Sequence, residues 1–317
     1  MPMPLKPRAL RPGDAIRVIA PSSPVEAEKL EEGIAELERL GYRVKRDSRA
    51  LSREGYFAGG VADRVKEFLA AIGEPETRAV ICARGGYGSN YLLDELLGEI
   101  DYVKEISPPK MLIGYSDVTS LQVFLWEKCG WVTFYGPMVA AGFDAGENLT
   151  RGYDRASFEQ ATSTTSSGWT AKLEGETLVR GTAEGPVLGG CLTLILSTLG
   201  TPWAINSKGA ILALEDRGMK PWQVDRALMH LKQAGKLDRV AGLLFGDFPE
   251  CEGPAGSATV RDVISRVTRK FDVPVVWNVP FGHTERPMLT IPLGVRARLT
   301  ANASPTLEFL EAACTDG

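Results

Sequence analysis

An apolar run, Met111-Leu112-Ile113, stops at Gly114, and Ser116 follows two residues later, just before a helix-like segment. A serine on a strand-to-helix turn projects its hydroxyl from the end of a sheet. The backbone N–H after it then lies at a helix N-terminus, where it can stabilise an oxyanion. Ser116 is therefore a candidate nucleophile, although the turn is only part of a G-x-S-x-G elbow because Val118 occupies the second glycine position. A serine hydroxyl is hardly ionised at neutral pH and needs a base, most often a histidine oriented by a carboxylate. The chain has 2 histidines. His230 sits in a helical pattern whose apolar stripe is Val224, Ala227, Leu228 and Leu231; it points off that stripe and reads as a solvated or edge-packed residue. His283 follows a strand end through Pro280 and Gly282, in a loop of the kind that presents catalytic side chains at the mouth of a sheet. The orienting carboxylate has two candidates, Glu215 and Asp216, at the end of the apolar run 210–214. Adjacent strand residues face opposite ways, so only one of them can reach a given site, and the pattern leaves both open.

A second segment, Arg84-Gly85-Gly86-Tyr87-Gly88, lies between a strand and a helix. Its spacing matches neither G-x-G-x-x-G nor the lysine-ending phosphate loop. A better use is close backbone approach. Gly85 and Gly86 carry no side chain to block an oxyanion, and their N–H groups face the same sheet edge as Ser116.

The elements that must position these groups follow from hydrophobic period. Strands are expected at 14–20, 42–46, 79–83, 110–114 and 131–135, alternating with helices at 26–40, 62–72, 90–97 and 118–128. Such alternation predicts a parallel, doubly wound sheet with ligands outside the carboxyl ends of its strands, where both residues 84–86 and Ser116 fall. The Gly-, Ser- and Thr-rich stretch 141–185 is expected to link this N-terminal domain, residues 1–140, to a C-terminal domain, residues 186–317. There, a glycine-rich opening and an apolar helix-like run to Leu199 precede strands at 210–214, 240–245 and 273–279 and helices at 222–234 and 260–271. The tail alternates like β-structure. The expected fold is α/β, with a second α/β domain containing a β-rich, barrel-like component.

Composition narrows the partners. With 317 residues, 44% of them hydrophobic, the chain can build a sizeable core. A formal charge of −4 leaves no electrostatic footprint for nucleic acid or an anionic membrane, so neither is expected as a partner. The first residues hold no apolar signal-peptide core, and the longest apolar run is too short to span a bilayer, so a soluble protein is expected. Five scattered cysteines, none in a CxxC pair, point to a reducing compartment. With 2 histidines and no ligand cluster, neither a zinc site nor another cofactor is expected.

Taken together, five short motifs resemble the LD-carboxypeptidase family of serine peptidases, the muramoyltetrapeptide carboxypeptidases. In order they are Arg-Gly-Gly-Tyr-Gly (84–88), Gly-Tyr-Ser-Asp-x-Thr-x-Leu (114–121), Gly-Gly-x-Leu (189–192), Leu-Glu-Asp (214–216) and Gly-His-Thr (282–284). The likeness covers nearly the whole chain, and the segments Tyr135-Gly136-Pro137 and Thr290-Ile291-Pro292-Leu293-Gly294 fit it too. The resemblance implies a triad of Ser116, Glu215 and His283, which favours Glu215 over Asp216. It also implies an oxyanion hole from the backbone N–H groups of Gly86 and Asp117. It further implies a cytoplasmic, metal-free, commonly homodimeric enzyme that removes the terminal D-Ala from murein tetrapeptides in cell-wall recycling. Because that substrate is polyanionic, Arg84 is expected to bind a carboxylate. One departure is Cys191, where similar sequences often carry Asn. Two alternatives stand beside this expectation. One is a microcin-C immunity type peptidase cleaving an adenylate-like amide, whose site should offer aromatic surface to a nucleobase, with Trp169 and Trp203 as loop tryptophans. The other is a two-lobed small-molecule binding protein without catalysis.

Overall fold

The computed structural model describes residues 2–106, 108–166 and 168–316; Ser167, within the stretch expected as a linker, lies outside them. The first half supplies five parallel strands: β1 (Ala15–Ile19), β2 (Arg43–Arg46), β3 (Thr77–Cys82), β4 (Met111–Gly114) and β5 (Thr133–Tyr135). The second half supplies β6 (Thr170–Lys172), β7 (Glu176–Val179), β8 (Gly181–Cys191), β9 (Ile211–Glu215), β10 (Gly242–Phe245), β11 (Val275–Trp277), β12 (Ile291–Leu293), β13 (Arg296–Ala301) and β14 (Thr306–Phe309). The first sheet runs β12-β5-β4-β3-β1-β2, with β12 antiparallel to β5. The chain reverses direction across this sheet between β1 and β3, and in open α/β sheets ligands bind at such a switch. Every residue of β4 is buried, as its unbroken apolar run requires of a strand covered on both faces.

The second sheet runs β6-β14-β13-β8-β9-β10-β11-β7, parallel from β8 to β11 and antiparallel outside. It curls on itself. Thr177 Oγ1, on β7, donates to the Asn302 carbonyl just past β13 at 2.7 Å, and the Leu299 side chain of β13 lies against Gly242 of β10. The barrel-like component expected from the alternating tail is this curl.

The helix Thr119–Cys129 joins the two halves. Its residues 119–126 are all buried, Leu121 and Phe124 in one core and Val123 and Trp126 in the other. A helix apolar all round is a helix with packing on every side.

The stretch 141–185 is not a bare linker. It holds the helix Arg155–Ser163, capped by the Asp154 carboxylate, then β6 and β7 at the two edges of the second sheet, and the start of β8. Short edge strands need little apolar content, so their polar sequence resembles a loop. The run 185–190 belongs to β8, which leads directly into the helix Leu192–Ser197. A Cβ on Gly190, whose φ is +134°, would meet the Thr119 and Tyr135 side chains at 2.6–3.1 Å, so these glycines bring the second sheet close to the first.

Candidate active site

Ser116 stands two residues beyond β4 with φ of +63°, the left-handed region that a serine seldom adopts. The elbow is tight because a Cβ on Gly114 would meet the Val118 side chain at 3.0–3.2 Å. Val118 is fully buried there, which accounts for a valine at the second glycine position of the turn. Such local strain persists only when surroundings over-determine it. The Ser116 N–H donates to the Tyr135 hydroxyl at 3.2 Å, and the helix Thr119–Cys129 continues directly from the turn.

The loop after β3 closes over this elbow. A Cβ on Gly85 would lie 2.9 Å from Ser116 Cβ and 3.1 Å from its Oγ, so only glycine permits the approach. Gly86 follows with φ of +108°, and a side chain there would strike Ser23. Ser23 fixes the loop: its N–H donates to the Gly85 carbonyl and its Oγ accepts from the Tyr87 N–H. Buried Arg64 ties the loops after β1 and β3 together, donating from Nη1 to the carbonyls of Pro21 (2.6 Å) and Gly88 (2.8 Å). The Asp117 carboxylate accepts from the Ser89 N–H at 2.8 Å, which points that side chain into the protein and away from the cavity.

Glu215 ends β9 and is wholly buried. Its Oε2 accepts from the His283 ring at Nδ1 (2.8 Å) and from the His283 backbone N–H (3.0 Å), while Oε1 accepts from the Tyr135 hydroxyl at 2.5 Å. A Cβ on Gly282 would lie 2.4 Å from the Glu215 carboxyl carbon, so the carboxylate is packed directly against the His283 loop. Asp216 faces the other way, accepting from the Thr193 N–H and hydroxyl and from the Arg217 N–H. Strand alternation therefore assigns Glu215 to the histidine, and Asp216 to a structural role at the start of the helix Leu192–Ser197. Cys191 occupies that second cluster, its buried thiol 3.6 Å from Asp216 Oδ2.

His283 meets Tyr115 edge-on, ring centroids 5.1 Å apart, and its loop is pinned by Asp247, which holds both Thr284 and Arg286. His230 stands exposed on the helix Pro221–Gln233. Ser116, His283, Gly85, Gly86 and Arg84 line one cavity of about 420 Å³. Arg84 donates to the Pro24 carbonyl at 3.2 Å and has no carboxylate partner among the described residues, whereas Arg151 and Arg217 on the same wall pair with Glu285 and Glu250.

The electrostatics follow from the pairing. Burial alone would depress the His283 pKa, but the charge and hydrogen bond of Glu215 outweigh it, so the imidazole sits above its ordinary value of 6.5. Burial likewise pushes the Glu215 carboxyl up, and His283 and its other donors bring it below the usual range. With Glu215 ionised, Nδ1 carries the ring proton and Nε2 is left as the acceptor. A base must be neutral to act, so activity is expected to fall with decreasing pH through a midpoint above about 6.5 in kcat/KM. A midpoint at or below about 6 would contradict this pairing in the free enzyme.

Tyr115, Tyr135, Arg64 and the Asp247–Arg286 pair were not legible as site residues, because each acts through contacts between segments far apart in sequence. A tyrosine closing the strand beside the nucleophile's strand was the one available signal.

A strained serine and a carboxylate-bound imidazole line one cavity on a two-sheet α/β scaffold. The LD-carboxypeptidase N-terminal domain matches residues 16–136 and the LD-carboxypeptidase C-terminal domain residues 184–299. A probable murein peptide carboxypeptidase of Bacillus subtilis is 35% identical over 315 residues, 98% of this chain and 96% of that protein. A muramoyltetrapeptide carboxypeptidase from Oxalobacter formigenes superposes with a TM-score of 0.81 at 28% identity, covering 94% of this chain and 99% of that one. The microcin C7 self-immunity protein MccF of Escherichia coli is 28% identical over 341 residues, 97% of each chain. MccF in its wild-type apo state gives a TM-score of 0.90 at 25% identity, over 98% of this chain and 100% of that one. The chain belongs to the LD-carboxypeptidase family and is a hydrolase.

Proposed function

We propose that the chain is a serine carboxypeptidase that hydrolyses the L,D-amide bond to the terminal D-Ala of murein tetrapeptides in cell-wall recycling. The observation that carries this reading is the buried Glu215 holding the His283 ring at Nδ1 beside a strained Ser116 on one cavity. In the mechanism, His283 Nε2 takes the Ser116 proton as Oγ attacks the amide carbonyl. Glu215 orients the imidazole and stabilises its cation. The N–H groups of Gly86 and Asp117 hold the tetrahedral oxyanion, and Gly85 at van der Waals distance from Ser116 supports that placement. His283 then gives its proton to the leaving D-Ala amine. Water, activated by the same ring, releases the tripeptide from Oγ.

The cavity wall supports a peptide over a nucleoside. Among the described residues its aromatic side chains are Tyr115 and the His283 imidazole. Trp169 stacks on Phe309 beside another cavity, and Trp203 packs against Phe124. Arg84, without an acidic partner among the described residues, supplies a cation for a substrate carboxylate. Arg84→Ala is expected to raise KM for the tetrapeptide about 10-fold with kcat within about 2-fold, the signature of uniform binding. Unchanged kinetics would remove Arg84 from the site.

On this reading the enzyme works in the cytoplasm as a homodimer. Its five cysteines are unpaired, which supports a reducing compartment, and no helix among the described residues is long and apolar enough to cross a membrane. The experiment is to incubate the chain with murein tetrapeptide and, separately, with an aminoacyl sulfamoyl adenosine, and to follow D-Ala or amino-acid release. D-Ala release is expected. Cleavage of the sulfamate alone would replace the murein reading with that of a microcin-immunity peptidase.

A further inference from the structure

The Tyr135 hydroxyl stands between the two halves of the site. It belongs to the N-terminal sheet, at the end of β5, yet donates at 2.5 Å to Glu215 Oε1 at the end of β9 in the second sheet. The same oxygen accepts the Ser116 N–H at 3.2 Å and is also bonded by the Thr119 side chain. Thr119 Oγ1 in turn accepts the Cys191 N–H at 3.0 Å, so β8 is drawn into the same knot. The ring is 1% exposed and does not line the cavity itself; it lies behind two residues that do, bonding the Ser116 N–H and meeting the Tyr115 ring edge-on at 6.2 Å. A phenol with a donor and acceptors all satisfied by catalytic segments, and with no route to substrate, has no binding role to play.

We propose that Tyr135 is a positioning residue that sets the Ser116 elbow and the Glu215 carboxylate in one frame, so that nucleophile and base are registered across the interface of the two sheets. The inference rests on the Ser116, Glu215 and His283 mechanism proposed above. The physical case is one of alternatives. Without the phenol, the Ser116 N–H loses its acceptor and Oε1 of Glu215 loses its side-chain donor, both in a buried place where an unmade hydrogen bond is costly. Ser116 holds a positive φ that must be imposed from outside, and among the described residues the phenol is the side chain bonded to its backbone N–H. Misplacement of reacting atoms by as little as 1 Å can cost about 100-fold in rate.

Tyr135 also sets the charge of Glu215, since a hydrogen bond donated to a carboxylate disperses its negative charge. The groups facing His283 are Glu215, Asp216, Arg217, Glu250 and the Tyr115 ring, so removing the phenol changes one partner of one of them. More charge on Glu215 favours the protonated imidazole, and the acid limb of the pH profile should move to higher pH.

The test compares Tyr135→Phe with the wild-type chain in steady-state hydrolysis of murein tetrapeptide across pH, with labelling by a fluorophosphonate as a substrate-independent readout. The expected result is a kcat lowered about 10- to 100-fold, KM within about 2-fold, slower labelling, and an acid limb shifted upward by several tenths of a pH unit. In case the Phe variant does not fold, a fluorotyrosine placed at position 135 keeps the shape and strengthens O–H donation; it should move the acid limb downward. An active wild type with a Phe variant equal in kcat and acid limb, or a fluorotyrosine protein with an unmoved limb, overturns the positioning role alone. A raised KM and lower melting temperature with the limb unmoved also overturns it, in favour of simple packing. A folded wild-type chain that neither labels nor turns over the tetrapeptide overturns the proposed mechanism, and the role of Tyr135 with it.

Discussion

Ser116→Ala is expected to lower kcat for tetrapeptide hydrolysis by at least about 10⁴-fold while leaving the protein folded, because loss of a triad nucleophile removes the covalent route and leaves only binding and oxyanion stabilisation. The structure says why the fold should survive. Alanine has the same Cβ as serine and so adds no new clash at φ of +63°. The elbow's own hydrogen bond runs through the backbone N–H to Tyr135, which the substitution keeps. Val118 still fills the space over Gly114. KM should change little, since the wall of the cavity is untouched. Unchanged thermal melting together with full turnover would remove Ser116 from the reaction. D-Ala release measured on both proteins decides it.

Glu215→Gln carries the second large effect. Three donors converge on the two oxygens of this buried carboxylate: the His283 ring, the His283 N–H and the Tyr135 O–H. Glutamine offers one carbonyl oxygen and an NH₂ that itself donates. If the oxygen stays with the His283 backbone and ring, the Tyr135 hydroxyl must turn away. If the NH₂ faces the ring, Nδ1 becomes the acceptor and Nε2 carries the proton, the wrong tautomer for a base. Either way the imidazolium loses its counter-charge inside the protein. A fall in kcat of about 10³- to 10⁴-fold is expected, with KM within a few-fold, by the logic that holds for an acid that orients a catalytic histidine. The His283 pKa, raised by Glu215 in the native site, should drop, because burial and the Arg217 charge both lower it and only the Asp216 charge then opposes them. A titration of the His283 ring by NMR checks this independently of activity. A variant within about 10-fold of wild type would mean that Asp216 or another group orients the ring.

Much of the site was legible because its parts lie at ends of elements whose period is unambiguous. The run at 110–114 could only be a buried strand, so Ser116 had to stand at its carboxyl edge. With two histidines in the chain, one placed off the apolar stripe of a helix and one in a strand-end loop, position favoured His283 over His230, and the family resemblance implied its role. Strand alternation said that Glu215 and Asp216 face apart without saying which meets the imidazole; the family resemblance favoured Glu215, and its neighbours in the fold are the His283 ring and N–H. The glycine runs were harder. Residues 185–190 lack the apolar period of a strand because Gly185, Gly189 and Gly190 stand where a side chain would strike neighbouring backbone or, at Gly190, the Thr119 and Tyr135 side chains. Residues 141–185 were polar because β6 and β7 are edge strands. Tyr135 left one local sign, its place at the close of the strand beside the nucleophile's strand, and nothing that told its role. Its meaning comes from a residue 80 positions away, reached across the joint between two sheets.

The most direct test of the Ser116, Glu215 and His283 assignment is to treat the purified chain with a fluorophosphonate and locate the adduct by peptide mass mapping. The account predicts a single stoichiometric adduct on Ser116, lost in Ser116→Ala and strongly slowed in Glu215→Gln. An unlabelled Ser116 in folded protein, or an adduct on another residue that persists in Ser116→Ala, would contradict it.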